Sequence, residues 1–450
     1  MRKMAAVVLA AGKGVRMHSE LAKVLHPAAG RPLIQWVAAA AGEAGVEPLV
    51  MVIGHQGEQV RAALGQGYLY AVQEQQLGTA HALSAGLAAF KDELPPALLV
   101  LCGDTPLLTG ETLAGLRGYF EETRAACTVL TALLPAGGNY GRILRDGSGH
   151  VTGIVEAREA TAEQLAIREI NSGVYCFDTQ ALLRVLPAIG VANSQGEYYL
   201  TDALDALVRL GLKVNAMVCP DPAEISGVND RLQLAVACRR LWDRKAQALM
   251  LSGVTILDPA TAYIDADVTV GPDTVIEPNV YLHGHTVIGQ GCHIGPQAKI
   301  VDSRVGDNCE IGPFCYLRPG TELSDKVKAG HFVEIKKSRI GKGSKVPHLS
   351  YIGDAVIGEG VNIGCGVITC NYDGAKKHTT VIEDQAFIGS NVNLVPPVTV
   401  GKRATVGAGS TVTQDVPEEA LALARERQVN IEGWAMRKDP RFVKKDENKG

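Results

Sequence analysis

The first half of the chain alternates short apolar runs with segments whose apolar residues recur at helical spacing. The apolar runs predict buried β-strands, and they occupy residues 4–11, 48–54, 97–104, 128–134 and 173–178. The helical patterns between them include 32–45 and 78–90. Buried strands separated by helices indicate a parallel α/β sheet covered on both faces, in which ligands bind beyond the carboxyl ends of the strands.

A different period begins in the second half. A helical run covers 229–250, with Asn229 as its predicted N-cap. Aliphatic residues then recur about every six positions, at Ile264, Val270, Ile276, Leu282, Ile288, Ile294, Ile300, Val305, Ile311, Leu317, Leu323, Ile340, Val346, Ile352, Ile382, Ile388, Leu394, Val400, Val406 and Val412. This repeat is too short for a helical solenoid and is typical of a parallel β-helix. Interruptions at 324–339 and 370–381 predict loops that leave the coil.

The two periods predict four segments in the 450 residues. They are an α/β domain at 1–227, a helical linker at 228–250, a β-helix at 251–430 and a charged tail at 431–450. We expect the tail to be poorly ordered, or ordered only against a partner chain.

Composition narrows the class of protein. Apolar residues make up 46% and charged residues 20%, as in ordinary globular proteins. The net charge of −4 argues against nucleic-acid binding, and no apolar run approaches the ~20 residues that cross a bilayer. The short N-terminal apolar run leads into a glycine–lysine turn rather than a cleavage site, so we interpret it as a strand of a cytoplasmic enzyme. The ten scattered cysteines predict reduced thiols.

The stretch 9-LAAGKGVRM-17 predicts a phosphate site after the first strand. Met17 stands where a dinucleotide fingerprint needs its third glycine, and the GxxxxGK[ST] loop of ATP sites does not occur here. A Gly-x-Gly turn still brings backbone N–H groups close to an anion, and Arg16 and Lys23 could neutralise a triphosphate. The alternative is a purely structural turn.

Two further stretches support nucleotide chemistry. The segment 73-QEQQLGTAHA-82 offers amide side chains that can read a base edge or a ribose. Asp104 ends an apolar strand, where a carboxylate could share Mg²⁺ with substrate phosphate oxygens. The alternative for Asp104 is a helix cap.

Taken in order, LAAGKGVRM, QEQQLGTAHA, GD, YGRI, VEAREA, INSGVY and GVNDR resemble one bacterial family. It is the family of bifunctional N-acetylglucosamine-1-phosphate uridyltransferases and glucosamine-1-phosphate acetyltransferases. The hexapeptide half resembles the β-helix of the same family. The resemblance implies a Rossmann-like α/β nucleotidyltransferase domain at 1–227 followed by a left-handed parallel β-helix of hexapeptide repeats that carries the acetyltransferase.

For the first domain, the resemblance implies magnesium ligands at Asp104 and Asn229. It implies UTP or UDP-N-acetylglucosamine contacts at Leu9, Ala10, Ala11, Gly12, Gly14, Arg16, Lys23, Gln73, Gln76, Gly78, Thr79, Gly141, Glu156, Asn171 and Asn229. Of these, Gly141, Glu156 and Asn171 would bind the N-acetylglucosamine moiety. Cys102 stands where the family commonly has tyrosine. The implied reaction is in-line attack of N-acetylglucosamine 1-phosphate on the α-phosphorus of UTP, accelerated by positioning and charge neutralisation.

For the β-helix, the resemblance implies that His348 is the general base for acetylation of an amine, a role suited to its pKa range. Glucosamine 1-phosphate would contact Arg318, Lys336, Tyr351, Asn362 and Lys377, whose positive charges suit a phosphate. Acetyl-CoA would contact Cys365, Asn371, Tyr372, Ser390, Ala408 and Arg425. Cys365 stands where alanine is common. His283, His285 and His293 have no metal pattern and are expected to be surface or coil residues.

The resulting interpretation is a cytoplasmic, magnesium-dependent bifunctional transferase that makes UDP-N-acetylglucosamine for cell-envelope synthesis. The resemblance also implies a homotrimer, and we expect no nucleic-acid partner and no membrane insertion. One alternative is a pyrophosphorylase whose β-helix serves only as a scaffold. Another is a non-catalytic regulatory subunit with the same pair of domains.

Overall fold

The computed structural model describes residues 3–91, 93–191, 193–438 and 441. The chain divides into two compact units. The first comprises Met1–Ala248 with Tyr263–Asp267, and the second comprises Leu249–Ala262 with Val268–Gly450. Among the described residues, no helix is long and apolar enough to cross a membrane.

The first unit is built on one mixed β-sheet. Across the sheet, its main strands are Val214–Val218, Cys127–Leu133, Glu169–Asp178, Ala97–Cys102, Met4–Leu9, Leu49–Ile53 and Leu69–Val72. Arg142–Arg145 and Val151–Val155 form an antiparallel pair attached to Glu169–Asp178, and Pro27–Ala28 pairs with Arg31–Pro32. The helices are Leu33–Glu43, Gly57–Leu64, Thr79–Ala88, Gly110–Thr123, Ala162–Leu165, Thr179–Val185, Thr201–Arg209 and Arg231–Leu251, with short 3₁₀ turns at Val15–Met17, Lys23–Leu25 and Leu186–Ala188.

The prediction of a wholly parallel sheet was wrong at one central strand. Glu169–Asp178 runs antiparallel to both of its neighbours, Ala97–Cys102 and Cys127–Leu133. The chain reaches this strand through the antiparallel pair at 142–155 rather than through a long crossover helix, so its direction reverses. The strands at the two ends of the sheet were not among the five predicted apolar runs. Both are partly exposed, and Asn215 interrupts the apolar run in Val214–Val218.

Alternate residues of the strands bury against helices on opposite faces, as predicted. On one face, Val8 and Leu99 pack in a cluster with Phe120 of the helix Gly110–Thr123. On the other face, Val7 and Val100 pack in a cluster that contains the helices Thr79–Ala88, Thr179–Val185 and Thr201–Arg209. Each such fully buried side chain contributes about 1.5–3 kcal/mol, so the strand ends that carry the polar loops are firmly held.

The second unit is a parallel β-helix with three sheets. The first contains Thr255–Ile256, Val275–Ile276, His293–Ile294, Glu310–Ile311, Lys328–His331, Lys345–His348, Asn362–Ile363, Phe387–Ile388, Thr405–Val406 and Leu421–Ala422. The second contains Tyr281–His283, Lys299–Val301, Tyr316–Leu317, Glu334–Lys336, Tyr351–Gly353, Ile368–Thr369, Asn393–Leu394 and Thr411–Val412. The third contains Thr269–Val270, Val287–Ile288, Arg304–Val305, Glu322–Leu323, Arg339–Ile340, Ala355–Ile357, Thr380–Ile382 and Val398–Val400.

The six-residue repeat marks the interior of the coil. Ile276, Ile294 and Ile311 stack in register in successive coils and are essentially unexposed. Val270 is the member of the predicted set that is only partly buried. The coil continues through 324–339, so the loop predicted there does not form. The small residue Ala329 occupies the interior position in that coil, which hid the repeat from an aliphatic pattern.

Three other local predictions have different outcomes. The interruption near 370 is a loop that leaves the coil between Ile368–Thr369 and Thr380–Ile382. Asn229 is not the N-cap of the following helix, because Asp230 accepts the backbone N–H of Gln233 at 2.8 Å and caps it instead. The predicted tail contains a short helix, Trp434–Lys438, and most of its later residues lie outside the described ones.

Two candidate active sites

In the first unit, the loop after the strand Met4–Leu9 is shaped by glycine. Gly14 has φ of +60°, and a Cβ placed on it would lie 2.6 Å from the Cβ of Lys23. Gly12 has open space where a Cβ would be, with no heavy atom within 4 Å. The loop therefore has one glycine that packs against a predicted phosphate-binding lysine and one that leaves its backbone accessible.

Four polar side chains from distant parts of the chain meet beside this loop. Lys23 forms an ion pair with Asp104, and its Nζ also donates to Oδ1 of Asn229 at 3.2 Å. Arg16 donates to the same Asn229 oxygen at 3.0 Å. The backbone N–H of Val228 donates to the carbonyl oxygen of Asp104 at 2.8 Å, which ties the two segments together.

The donor set at this point fits a hard divalent cation. The Asp104 carboxylate and the Asn229 amide oxygen converge on the ammonium group of Lys23, so two oxygen donors face one positive charge. Among the described residues, no group of three or more His, Cys, Asp or Glu side chains is arranged to hold a metal. Since Mg²⁺ is often bound by one or two protein oxygens plus phosphate oxygens, this pair is sufficient only together with a nucleotide.

A cavity of about 250 Å³ lies beside these side chains. Its lining contains the predicted residues Leu9, Ala10, Ala11, Gly12, Lys23, Gln73, Gln76, Gly78, Thr79 and Asp104. Val24, Ala82, Cys102 and Glu197 also line it and were not predicted as contacts. Glu197 belongs to a segment without a strand or helix pattern, so no sequence signal marked it.

The amide-rich segment is held rigidly at the edge of this cavity. The buried Gln73 donates its Nε2 to the carbonyl oxygen of Gly78 at 3.1 Å. Gly78 has φ of +111°, and a Cβ there would lie 2.5 Å from the carbonyl oxygen of Tyr198. The hydroxyl of Thr79 accepts the backbone N–H of Leu200 at 2.9 Å. A second chain segment thus fixes the turn that begins the helix Thr79–Ala88.

The residues predicted to bind the sugar gather where three strands meet. Gly141 precedes Arg142–Arg145, and its carbonyl oxygen accepts the backbone N–H of Asn171 at 2.9 Å. Glu156 follows Val151–Val155, which pairs with the same strand. Asn171 in turn donates to the Tyr175 hydroxyl at 2.8 Å. Burial raises the pKa of Glu156, and the neighbouring Asp202 raises it further, while the Thr201 hydroxyl lowers it.

Cys102 lies near Asp104 and also contacts the strand Glu169–Asp178, which carries Asn171. Its thiol contacts the carbonyl oxygen of Gly173 at 3.7 Å. Burial, assisted by the negative charge of Asp104, raises the pKa of Cys102 to about 12. The thiol is therefore a neutral, weakly polar wall at neutral pH rather than a nucleophile.

In the second unit, His348 ends the strand Lys345–His348 and meets a second histidine. Its Nδ1 lies 3.0 Å from Nε2 of His331, which ends the neighbouring strand Lys328–His331. His331 was not predicted as a site residue. The signal that could have found it is its 17-residue separation from His348, which equals one turn of the coil.

Basic and acidic side chains form a charged cluster on the second sheet. Arg318 donates to Glu334 at 2.8 Å, and Lys336 lies 4.0 Å from Asp354. The pKa of Lys336 is lowered, chiefly because Lys377 lies against it. Two lysines held together with an arginine nearby favour the binding of a doubly charged anion.

Other predicted residues stand around this cluster. Asn371 donates to Asp354, and a Cβ on Gly353 would lie 2.5 Å from the Tyr351 hydroxyl and 2.8 Å from Nδ2 of Asn371, so these side chains are closely packed. Asn362 lies on the first sheet instead, paired with Lys345. It is therefore on another face of the coil from Lys336.

Three of the residues predicted to contact acetyl-CoA form a row along the coil. Asn391 donates its backbone N–H to the carbonyl oxygen of Cys365 at 2.7 Å, and Gly409 donates to that of Ser390 at 2.9 Å. The row therefore passes through Cys365, Ser390 and Ala408 in successive coils. The Arg425 side chain lies 3.8 Å from a Cβ placed on Gly409. Tyr372 is in the loop after the strand Ile368–Thr369, where it forms a bridge with Lys377.

An α/β sheet with a glycine-shaped loop after one strand, and a hexapeptide coil with the charged cluster, define a nucleotidyltransferase fold joined to a hexapeptide-repeat transferase. Comparison with known proteins supports this class. The model of the MobA-like NTP transferase domain matches residues 6–166. The bacterial transferase hexapeptide (six repeats) model matches residues 267–301 and 379–414.

Full-length relatives identify the family. The chain is 52% identical over 447 residues to the bifunctional protein GlmU of Carboxydothermus hydrogenoformans, covering 96% of this chain and 100% of the relative. It is 53% identical to the bifunctional protein GlmU of Heliobacterium modesticaldum, covering 97% and 99%, and 50% identical to that of Brevibacillus brevis, covering 99% and 100%. The chain belongs to the GlmU family of bifunctional enzymes. It has an N-terminal uridyltransferase domain and a C-terminal acetyltransferase domain on a left-handed β-helix, which confirms both predicted activities. The scaffold and regulatory alternatives are not favoured.

Proposed function

We propose that the cavity beside Asp104 is the uridylyl-transfer site. The observation that carries this proposal is the convergence of Arg16, Lys23, Asp104 and Asn229 beside the loop at Gly12 and Gly14. Backbone N–H groups of the loop would bind the triphosphate of UTP, with Arg16 and Lys23 neutralising its charge. Gln73, Gln76, Gly78 and Thr79 would hold the uracil and the nearby ribose.

The second substrate would enter beside Gly141, Glu156 and Asn171. These residues would hold N-acetylglucosamine 1-phosphate so that one of its phosphate oxygens faces the α-phosphorus of UTP. The P–O bond to pyrophosphate then breaks as the new P–O bond forms, with no side-chain base required. Asp104 and Asn229 would hold Mg²⁺, which supplies charge neutralisation when it is bound.

Calorimetric titration of UTP tests this proposal. With Mg²⁺ in the buffer, Asp104→Ala should weaken UTP binding by about tenfold or more, because one of two protein oxygens for the metal is removed. Without Mg²⁺, the parent and the variant should bind UTP equally weakly. Parent-like affinity of Asp104→Ala in Mg²⁺ would contradict the assignment.

We propose that the charged cluster on the β-helix is the acetyl-transfer site. Arg318, Lys336 and Lys377 would hold the phosphate of glucosamine 1-phosphate, with Tyr351 on the sugar. Asn362 lies on another face of its own coil and would reach the sugar from a neighbouring chain of the proposed trimer. Nε2 of His348 would take a proton from the attacking amine as the N–C bond forms. The C–S bond of acetyl-CoA then breaks through a tetrahedral intermediate, and coenzyme A leaves as the thiolate without an acyl-enzyme.

The acetyl-CoA chain would lie along the edge that carries Cys365, Ser390 and Ala408, with Asn371, Tyr372 and Arg425 at its ends.

His348→Ala tests the acetyl-transfer site. We expect its kcat to fall by at least about a hundredfold, while UDP-N-acetylglucosamine formation from UTP and N-acetylglucosamine 1-phosphate stays at the parent rate. Parent-like acetylation by His348→Ala would remove the histidine from the mechanism.

We also propose that the enzyme is a homotrimer and works in the cytoplasm, where UTP and acetyl-CoA are produced. Support for self-association comes from exposed apolar side chains at one corner of the coil. Phe314, Phe332 and Leu349 are 45%, 57% and 60% exposed. Sedimentation equilibrium at micromolar concentration should give three times the mass of one chain, and a monomer mass would contradict the trimer.

The linker at 228–250 and the domain limits at 227, 251 and 430 stay predictions.

A further inference from the structure

His331 and His348 lie opposite each other at the same corner of two successive coils. They are Cα partners in the parallel pair of strands Lys328–His331 and Lys345–His348. The backbone N–H of Leu349 donates to the carbonyl oxygen of His331 at 3.0 Å. The main chain therefore fixes the two residues in register at the point where their strands end.

The two imidazole rings are in direct contact. Their centroids are 4.6 Å apart, and Nδ1 of His348 lies 3.0 Å from Nε2 of His331. Phe332 meets the His331 ring edge-on at 6.4 Å and stacks on Phe314 at 5.1 Å. Neighbouring aromatic rings thus limit the orientations that His331 can adopt.

The hydrogen bond between the rings constrains where the protons lie. A neutral imidazole has one N–H donor and one nitrogen acceptor, so one ring must donate to the other. If His348 donates from Nδ1, its Nε2 keeps the lone pair and can accept a proton from the amine. The Nε2 atom of His331 is then the acceptor, before and after His348 is protonated.

We infer that His331 is a positioning residue for acetyl transfer, which accepts the Nδ1 hydrogen of His348 and so keeps the Nε2 atom of His348 free and aimed at the amine. The inference rests on the proposed role of His348 as the general base. It assigns a function to a residue that would otherwise be an exposed histidine on the coil.

Two variants of His331 separate the hydrogen bond from the packing. His331→Phe keeps an aromatic ring but has no acceptor. His331→Gln places an amide oxygen at about the reach of the imidazole Nε2 and restores the acceptor. The measurement is kcat and KM for acetyl transfer from acetyl-CoA to glucosamine 1-phosphate, with uridylyl transfer in the same full-length preparation as the control for folding.

We expect His331→Phe to lower kcat by about tenfold with both KM values nearly unchanged, since the residue acts on the base and not on the substrates. His331→Gln should recover kcat to within about threefold of the parent. In a His348→Ala background, His331→Phe should cause no further loss, because the residue acts through His348.

The inference is overturned if His331→Phe has the parent kcat, if His331→Gln is as slow as His331→Phe, or if His331→Phe slows the His348→Ala variant further. Failure of the proposed function looks different. In that case His348→Ala itself retains parent acetyl transfer, whatever the His331 variants do.

Discussion

Arg16 donates a hydrogen bond of 3.0 Å to the side-chain oxygen of Asn229, although the two residues are 213 positions apart. The same oxygen accepts a hydrogen bond from the ammonium group of Lys23. A cation held by Asn229 would compete with both side chains for this oxygen and release them toward the phosphates. The residues proposed to bind phosphate and the residue proposed to bind the metal are thus connected at a single atom.

This connection predicts the behaviour of Asn229→Leu, which keeps the branched side-chain shape but removes the oxygen. We expect the Mg²⁺ concentration for half-maximal uridylyl transfer to rise by about tenfold, the effect of losing about 1.4 kcal/mol of metal binding. Rate measurements over a Mg²⁺ series check this. The acetyl-transfer rate serves as the internal control, and an unchanged Mg²⁺ requirement would contradict the metal assignment.

Gly14→Ala should lower both the rate of uridylyl transfer and the stability of the protein. The substitution places a Cβ against Lys23 and forces a non-glycine residue to φ of +60°, which costs about 1 kcal/mol or more. We expect uridylyl transfer to fall by at least about tenfold, together with a lower thermal midpoint.

Gly115→Ala is the matched control for Gly14→Ala. Gly115 lies in the helix Gly110–Thr123 and has open space around a Cβ. Alanine there should leave both activities unchanged and raise stability by about 0.5–1 kcal/mol. If Gly14→Ala matches this control in rate and thermal midpoint, the loop does not depend on its glycine.

Lys377→Met should weaken binding of the sugar phosphate. Because Lys377 lowers the pKa of Lys336, its removal should let that pKa rise, yet the site loses one positive charge. We expect KM for glucosamine 1-phosphate to rise by about tenfold with kcat changed less than about threefold. Lys342→Met removes an exposed lysine outside the cluster and should change neither constant. Equal KM values for the two variants would contradict the phosphate assignment.

The raised pKa of Glu156 predicts that the stability of the protein depends on pH. Burial raises its pKa in the folded state above the ordinary value of 4.5, so the folded protein binds more protons than the unfolded chain in that range. The parent therefore loses stability as pH rises through the raised pKa. The Gln side chain of Glu156→Gln does not titrate, so the thermal midpoint of this variant should exceed that of the parent at pH 7, with the difference shrinking toward pH 4.

The control for this experiment is Glu47→Gln, an exposed carboxylate outside the helices and strands of the first unit. Its midpoint should follow that of the parent at every pH. A Glu156→Gln difference that is constant with pH would show that the carboxyl group is not the cause.

Much of the fold is encoded locally and could be predicted. The six-residue period marks interior residues such as Ile294 and Ile388 directly, because each coil repeats the same geometry. The direction of Glu169–Asp178 could not be predicted in this way, since it depends on the route of the preceding chain rather than on the strand's own residues. Ala329 was not recognised as an interior residue because the pattern was defined by larger aliphatic residues.

The candidate site residues also include some that could be predicted from the sequence and some that could not. Gly14 and Asp104 follow apolar strands, so their place at the sheet edge could be predicted from the strands alone. Asn229 and Arg16 meet only through the tertiary fold, and His331 meets His348 only when the length of a coil is known. Side-chain contacts between distant segments thus escape prediction when the tertiary fold or the register between coils is unknown.

The most direct test of two separate sites is mass spectrometry of one reaction that contains glucosamine 1-phosphate, acetyl-CoA, UTP and Mg²⁺. The parent enzyme should yield UDP-N-acetylglucosamine. His348→Ala should leave glucosamine 1-phosphate unreacted, and Asp104→Ala should accumulate N-acetylglucosamine 1-phosphate. The result that would contradict the account is UDP-glucosamine from any of the three proteins, or UDP-N-acetylglucosamine at the parent rate from either variant.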